Sequence, residues 1–124
     1  MGHEEREIVL WSQPIITGRT TGNELKNGMG SLLVANLSNR SIVINFEFYD
    51  RNGAVCSGGN STVAPGCIDV CNTLNATIES RKYMYCKLWF SGFRRDISAS
   101  LIMSTVEGSP GSEVETPVYS VALG

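Results

Sequence analysis

Apolar and polar residues alternate along much of the chain, and the clearest run covers residues 83–90. Successive side chains of a strand point to opposite faces, so this run has two. One is an ordinary core face, formed by Met84, Cys86, Leu88 and Phe90. The other is aromatic and amphipathic, formed by Tyr83, Tyr85, Lys87 and Trp89. A solvated strand face needs neither two tyrosines nor a tryptophan, so we expect this second face to be covered and to be the site of function.

Similar short segments, separated by turn signals, recur along the chain. A mobile loop is predicted at residues 17–30, which show no periodicity, and a second loop is predicted at residues 72–82. Turns are predicted at Asn36–Arg40, Asp50–Gly53, Gly58–Asn60 and Ala64–Gly66. Strands are predicted at Glu7–Ser12, Ser31–Ala35, Ser41–Tyr49, Ala54–Ser57, Ser61–Val63, Cys67–Cys71, 82–90, Ile97–Val106 and Thr116–Leu123.

This succession predicts an all-β fold, a single, mostly antiparallel β-sandwich of about 7–9 short strands. Parallel neighbours would need long crossover connections, which the short turns do not provide. The 124 residues are expected to form one domain, spanning residues 1–124. Within Ser41–Tyr49, Ile42 and Ile44 are predicted to face inward, and Glu47 outward, where it could lie across from Lys87 or another cation.

Charge and composition narrow the possible partners. Charged residues make up 18% of the chain, and the net charge is −2. No basic stripe is present, so nucleic acid is not expected as a partner. No apolar run is long enough for a membrane-spanning helix. The polar start, Met1–Glu7, does not resemble a signal peptide; this predicts a cytoplasmic protein if the chain is full length, and a secreted or periplasmic one if a signal was removed.

Four cysteines, Cys56, Cys67, Cys71 and Cys86, allow three interpretations. They could be free buried thiols, which behave as small hydrophobes. They could form one or two disulfides, although Cys67 and Cys71 would lie too far apart on one strand to bond each other. They could bind a metal, but the spacing lacks the paired C-x2-C knuckles of structural zinc sites. No metal site and no cofactor is therefore predicted.

No catalytic constellation is recognisable. The single histidine, His3, lies in the polar N-terminal segment, where a positioned general base is not expected. Asp50, Asp69 and Asp96 fall at predicted turns or strand ends, where aspartate commonly bonds its own backbone. Arg94 and Arg95 are predicted to lie in a solvated turn. The alternative is that these two arginines bind an anion. The chain is accordingly interpreted as non-enzymatic.

Three explanations remain for the aromatic face. It could contact another copy of the chain or a protein partner, because Tyr and Trp are enriched at interfaces. It could bind carbohydrate, since flat rings stack on sugar rings. It could also be covered from within by residues 13–30. The preferred hypothesis is an interaction or assembly domain that forms a homo-oligomer, and the alternative is a carbohydrate- or small-ligand-binding module.

Residues 32–70 contain an aliphatic-x-Asn segment, an alternating strand, Tyr49-Asp50-x-x-Gly53 and the Pro65-Gly66 turn. This layout resembles small bacterial β-sandwich domains, either secreted adhesive modules or the sensory-rhodopsin transducer family. The resemblance covers about a third of the chain and implies a β-sandwich; for the transducer family it also implies a soluble tetramer. No functional residue of that family matches a motif here.

Overall fold

The computed structural model describes residues 6–16, 19–21, 24–26, 28–72, 83–107, 112 and 114–124. No α-helix occurs among them, and a single 3-10 turn forms at Arg94–Asp96. The strands are β1 (Arg6–Trp11), β2 (Ile15–Ile16), β3 (Arg19–Thr21), β4 (Glu24–Lys26), β5 (Gly28–Asn36), β6 (Ile42–Tyr49), β7 (Val55–Val63), β8 (Ile68–Asn72), β9 (Tyr83–Gly92), β10 (Ile97–Glu107) and β11 (Val114–Ala122).

Two packed antiparallel sheets confirm the predicted all-β sandwich. Sheet 1 has five strands in the order β1-β9-β6-β7, with β2 also pairing with β9. Sheet 2 has four strands in the order β11-β10-β5-β8, and β3 and β4 form a separate two-stranded hairpin. Pro14 lies between β1 and β2, which both pair with β9, so the proline interrupts this strand at the edge of sheet 1.

The core lies between the sheets and follows the predicted alternation. Each sheet contributes alternate side chains to one cluster of buried residues. Sheet 1 supplies, among others, Leu10, Ile44, Phe48, Met84, Cys86, Leu88 and Phe90, and sheet 2 supplies Leu32, Val34, Ile97 and Leu101. The first face of the 83–90 run is therefore core, as expected. Among the described residues, no helix has the length and apolarity to cross a bilayer.

The predicted turn at Gly58–Asn60 is wrong, because these residues lie inside the continuous strand β7. Gly58 pairs with Glu47, and Asn60 with Asn45. A Cβ atom at Gly58 would lie 3.0 Å from the main-chain oxygen of Phe46. The glycine here permits a close approach of β6 rather than a reversal of the chain.

The predicted loop at 17–30 is also wrong in part. It contains the short strands β3 and β4, and its last three residues begin β5, where Gly28 pairs with Thr105 and Gly30 with Met103. These residues lack a side-chain alternation, and their strand conformation comes from β10 beside them. The predicted loop at 72–82 lies largely outside the described residues; Asn72 ends β8. His3 and the N-terminal five residues also lie outside them.

The two turns with the strongest sequence signals form as predicted. Gly53 and Gly66 both have positive φ angles, of 79° and 73°. In the first turn, one carboxylate oxygen of Asp50 accepts hydrogen bonds from the amides of Asn52 (2.9 Å) and Ala54 (3.0 Å). These turns hold β6 to β7 within sheet 1 and carry the chain from β7 to β8 in sheet 2.

A fully buried amide, that of Asn36 at the end of β5, connects the two sheets. Its Nδ2 donates to the carbonyl oxygens of Arg40 (2.7 Å) and Val63 (2.8 Å). Its Oδ1 accepts from the backbone amide (2.9 Å) and the hydroxyl (2.7 Å) of Ser38. All four hydrogen-bonding positions of this side chain are thus occupied, and they join the end of β5, the following turn and the last residue of β7.

We expect Asn36→Ala to lower the free energy of unfolding by about 3 kcal/mol, because each buried group left without a partner loses about 1–3 kcal/mol. Urea denaturation measures this loss. The matched control is Asn39→Ala, which removes an exposed amide from the same turn and should change stability by less than about 0.5 kcal/mol. Equal losses in the two variants would contradict the role given to Asn36.

Candidate interaction surface

Strand pairing gathers aromatic and charged side chains on the outer face of sheet 1. Strand β9 lies between β1 and β6, so Lys87 has Trp11 on one side and Glu47 on the other. Trp89 similarly lies between Val9 and Asn45. We call the surface formed by these outward positions the aromatic face; its aromatic members are Trp11, Tyr49, Tyr83, Tyr85 and Trp89.

Three rings from three strands pack against one another at the centre of the aromatic face. Tyr49 and Tyr85 are directly paired and stacked, with ring centroids 4.9 Å apart and an interplanar angle of 13°. The Trp11 indole lies 6.1 Å from the ring of Tyr49 and 6.3 Å from that of Tyr85. Such aromatic pairs contribute about 0.5–1.5 kcal/mol beyond the area they bury. These rings therefore cover part of one another, yet Trp11 stays 46% exposed.

The ammonium group of Lys87 lies between the two tryptophans of the chain. Its Nζ atom is 4.8 Å from the ring centroid of Trp89 and 5.4 Å from that of Trp11. A cation over an indole face is attracted by about 0.5–1 kcal/mol at an exposed site. Lys87 thus links the Trp89 end of the face to the Trp11–Tyr49–Tyr85 stack.

Glu47 supplies a negative charge next to this cation. It is directly paired with Lys87 across β6 and β9, one of the partners that the sequence allowed. The hydroxyl of Tyr49 donates a hydrogen bond to Glu47 Oε2, at 3.3 Å. Burial, followed by the neighbouring Glu47 carboxylate, raises the pKa of Tyr49 above its ordinary value. The tyrosine is therefore held in its neutral, hydrogen-bond-donating form.

A depression flanks each end of the aromatic face. At the first, a groove of about 450 Å³ is lined in part by Trp89, Glu7, Arg40, Asn45 and Ser91. At the second, a depression of about 240 Å³ is lined by Pro14, Asp50, Arg51, Tyr83 and Tyr85. The guanidinium carbon of Arg51 lies 5.5 Å from the ring centroid of Tyr83, which is 37% exposed. The face thus carries both signs of charge around its aromatic centre.

The structure places all four sequence-predicted residues, Tyr83, Tyr85, Lys87 and Trp89, on this face. Sequence reasoning did not include Trp11 and Tyr49 in the site. Both occupy outward positions of alternating strands, but nothing in the sequence says that β1 and β6 flank β9. Residues 15–16 do not fold over the face: they pair with the edge of β9, and Ile15 points into the core.

The cysteines do not contribute a site to this face. All four are free thiols in the structure. Cys71 and Cys86 are buried, Cys56 is half-buried and Cys67 is exposed. Burial raises the pKa of Cys71 to about 11 and that of Cys86 to about 12, the latter despite a hydrogen bond with Ser12 that lowers it. Among the described residues, no group of three or more His, Cys, Asp or Glu could hold a metal ion.

The two arginines of the 3-10 turn differ in their contacts. Arg94 donates to the carbonyl oxygens of Ile97 (3.1 Å) and Leu123 (3.3 Å), which ties the turn to the C-terminal end of β11. The guanidinium of Arg95 instead lies 5.1 Å from the ring centroid of Phe93. Next to them, the buried carboxylate of Asp96 accepts from the Phe93 amide and lies 3.6 Å from the Arg40 guanidinium. Arg94 therefore has a structural role, beyond that of a solvated turn residue.

Comparison with known proteins gives a fold but no family. No family model and no curated protein matches the chain. Among solved structures, the chain is similar to the crystal structure of Thermotoga maritima 1070. The TM-score is 0.51 at 11% sequence identity, over 98% of this chain and 95% of that chain. At this identity the likeness shows the fold alone.

The raised thiol pKa values predict a loss of stability at alkaline pH. The unfolded chain ionises Cys86 near its ordinary pKa of 9.0, whereas the folded chain holds the proton up to about 12. The free energy of unfolding should therefore be unaffected by this thiol below pH 9. Between pH 9 and 12 it should fall by about 1.4 kcal/mol per pH unit. Urea denaturation of Cys86→Ala from pH 8 to 11 should show a shallower decline than the unaltered protein.

Cys67→Ala is the matched control, because it makes the same substitution at an exposed thiol. An identical slope in the protein with and without Cys86 would show that this thiol titrates normally in the folded state.

Proposed function

We propose that this protein is a non-enzymatic assembly domain that associates with a second copy of itself through the aromatic face. The observation that carries the proposal is the cluster of Trp11, Tyr49, Tyr85 and Trp89 around Lys87 on the outward side of sheet 1. Large rings with a polar tip combine apolar area with hydrogen-bonding capacity, and they are enriched at protein interfaces.

Charge supports a second copy as the occupant. The aromatic face and its rims carry Lys87, Arg40 and Arg51, and also Glu47, Glu7 and Asp50. In a two-fold contact the same surface meets itself, so residue i contacts j while j contacts i. A face with both signs of charge can then place each cation of one copy near a carboxylate of the other. A face of a single sign would repel its own copy.

The exposed aromatic area supplies the driving force. Burying a Tyr or Trp side chain removes about 150–250 Å² from water. Part of the surface of Trp11, Tyr83 and Trp89 is still exposed to solvent. At about 25 cal/mol per Å², burying that area would contribute several kcal/mol to the free energy of association. The charged groups at the rims would then set the orientation of the two copies rather than the strength of their contact.

Trp89→Ala should weaken self-association by at least about 30-fold in Kd, because truncating a tryptophan that anchors an interface typically costs about 2 kcal/mol or more. Light scattering over a range of protein concentrations measures the mass. Far-UV circular dichroism should keep its β signature, since the opposite side of β9 carries the core.

Ile68→Ala is the matched control, because it truncates a 65% exposed apolar side chain on sheet 2, away from the aromatic face. Its mass should equal that of the unaltered protein. A chain that is monomeric at every concentration would overturn the proposal. If it is monomeric and Trp89→Ala unfolds it, the face is covered from within the chain.

Carbohydrate binding is the second candidate, favoured by the groove beside Trp89. Trp89 lines this groove together with Glu7, Arg40 and Asn45, residue types that would combine ring stacking with hydrogen bonding to hydroxyl groups. A monomeric protein that is retarded in polysaccharide-containing gels, and loses this retardation in Trp89→Ala but not in Ile68→Ala, would support this candidate over self-association.

A further inference from the structure

Strand β7 forms an edge of sheet 1 that differs from the other edges. Unpaired backbone groups at a sheet edge are a template for another strand, and natural proteins protect such edges with charges, prolines, short strands or covering segments. The nine residues of β7, Val-Cys-Ser-Gly-Gly-Asn-Ser-Thr-Val, contain no charged residue and no proline. Among the described residues, β7 pairs only with β6.

The other edges carry the protection that β7 lacks. Strand β1 begins with Arg6 and Glu7, and at its far end Trp11 exchanges two backbone hydrogen bonds with Gly124, each 3.0 Å. Strand β11 contains Glu115 and Pro117. Strand β8 has only five residues, and one is Asp69, whose carboxylate accepts a hydrogen bond from the Ser61 hydroxyl on β7.

The side chains of β7 also leave room for a neighbour. Gly58, Gly59, Asn60 and Thr62 are all exposed, and none carries a long side chain. None of these four side chains would therefore obstruct a further strand at the usual spacing of about 4.8 Å.

We propose that residues 57–61 of β7 pair antiparallel with the same segment of a second copy of this chain. This contact is distinct from the aromatic face and does not depend on it. A strand without charge meets its own copy without repulsion, and antiparallel pairing around a two-fold axis is closed, so it stops at two chains. In a register centred on Gly59, Ser57 of one copy opposes Ser61 of the other, and both lie on the inner side of the sheet.

The two-fold axis of this pairing runs perpendicular to sheet 1. Sheet 1 of one copy therefore continues into sheet 1 of the other, with both aromatic faces on the same side. The edge contact leaves these faces uncovered, so they remain available for the association proposed above.

Hydrogen exchange of the full chain over a range of concentrations tests the proposal. In an unpaired edge strand, alternate amides of 57–61 exchange quickly. Pairing should slow the exchange of these amides by at least about tenfold as concentration rises. Uniformly fast exchange up to the highest concentration, or protection that does not depend on concentration, would overturn it.

Two pairs of charge substitutions locate the contact. Asn60→Lys with Thr62→Lys places cations on the β7 edge and should abolish the concentration-dependent protection. Ser98→Lys with Ser120→Lys adds the same charge to exposed positions of sheet 2 and should retain it. Trp89→Ala should also retain it, so failure of the edge contact and failure of the aromatic contact give different results. Protection that persists in Asn60→Lys with Thr62→Lys would contradict the edge contact.

Discussion

The amide of Asn36 is the constraint on which the arrangement of the two sheets depends. A buried amide without partners would be strongly unfavourable, and here every donor and acceptor is satisfied only when three chain segments meet. The end of β5 in sheet 2, the turn before β6 and the end of β7 in sheet 1 must all be in place. Apolar packing between the sheets tolerates small sliding movements, whereas this set of directional bonds does not. Asn36 therefore fixes the position of β6 and β7, and with it the Tyr49 and Glu47 side chains of the aromatic face.

Sequence periodicity predicts most of the fold because each sheet has one buried side. In β6, β9 and β10 the alternation of side chains follows directly from a core on one side and solvent on the other. It fails where the backbone itself determines the structure. Gly58 and Gly59 have no side chains to alternate, so the sequence of this part of β7 resembles that of a turn. The prediction from periodicity fails at Gly28–Gly30 for the same reason, because the strand conformation of these residues depends on β10 beside them.

The candidate surface was only partly predictable for a related reason. One strand carries Tyr83, Tyr85, Lys87 and Trp89, so their common face follows from a period of two. The contributions of Trp11 and Tyr49 depend on which strands flank β9, and these lie more than thirty residues away along the chain. Strand order is set by the packing of the whole sandwich, and a local pattern contains no information about it. Lys87 illustrates the consequence: Glu47 could be guessed as its neighbour, but its contact with two indole rings could not.

Both tryptophans of the chain, Trp11 and Trp89, lie on the outer face of sheet 1, on either side of a single ammonium group. The core contains neither of them. The intrinsic fluorescence of this protein is thus a local signal, sensitive to the hydration and charge of one surface and largely insensitive to the packing between the sheets. Emission excited at the indole band would follow events at the aromatic face without any introduced label. Loosening of the core would not change this emission until β1 or β9 separated from the sheet.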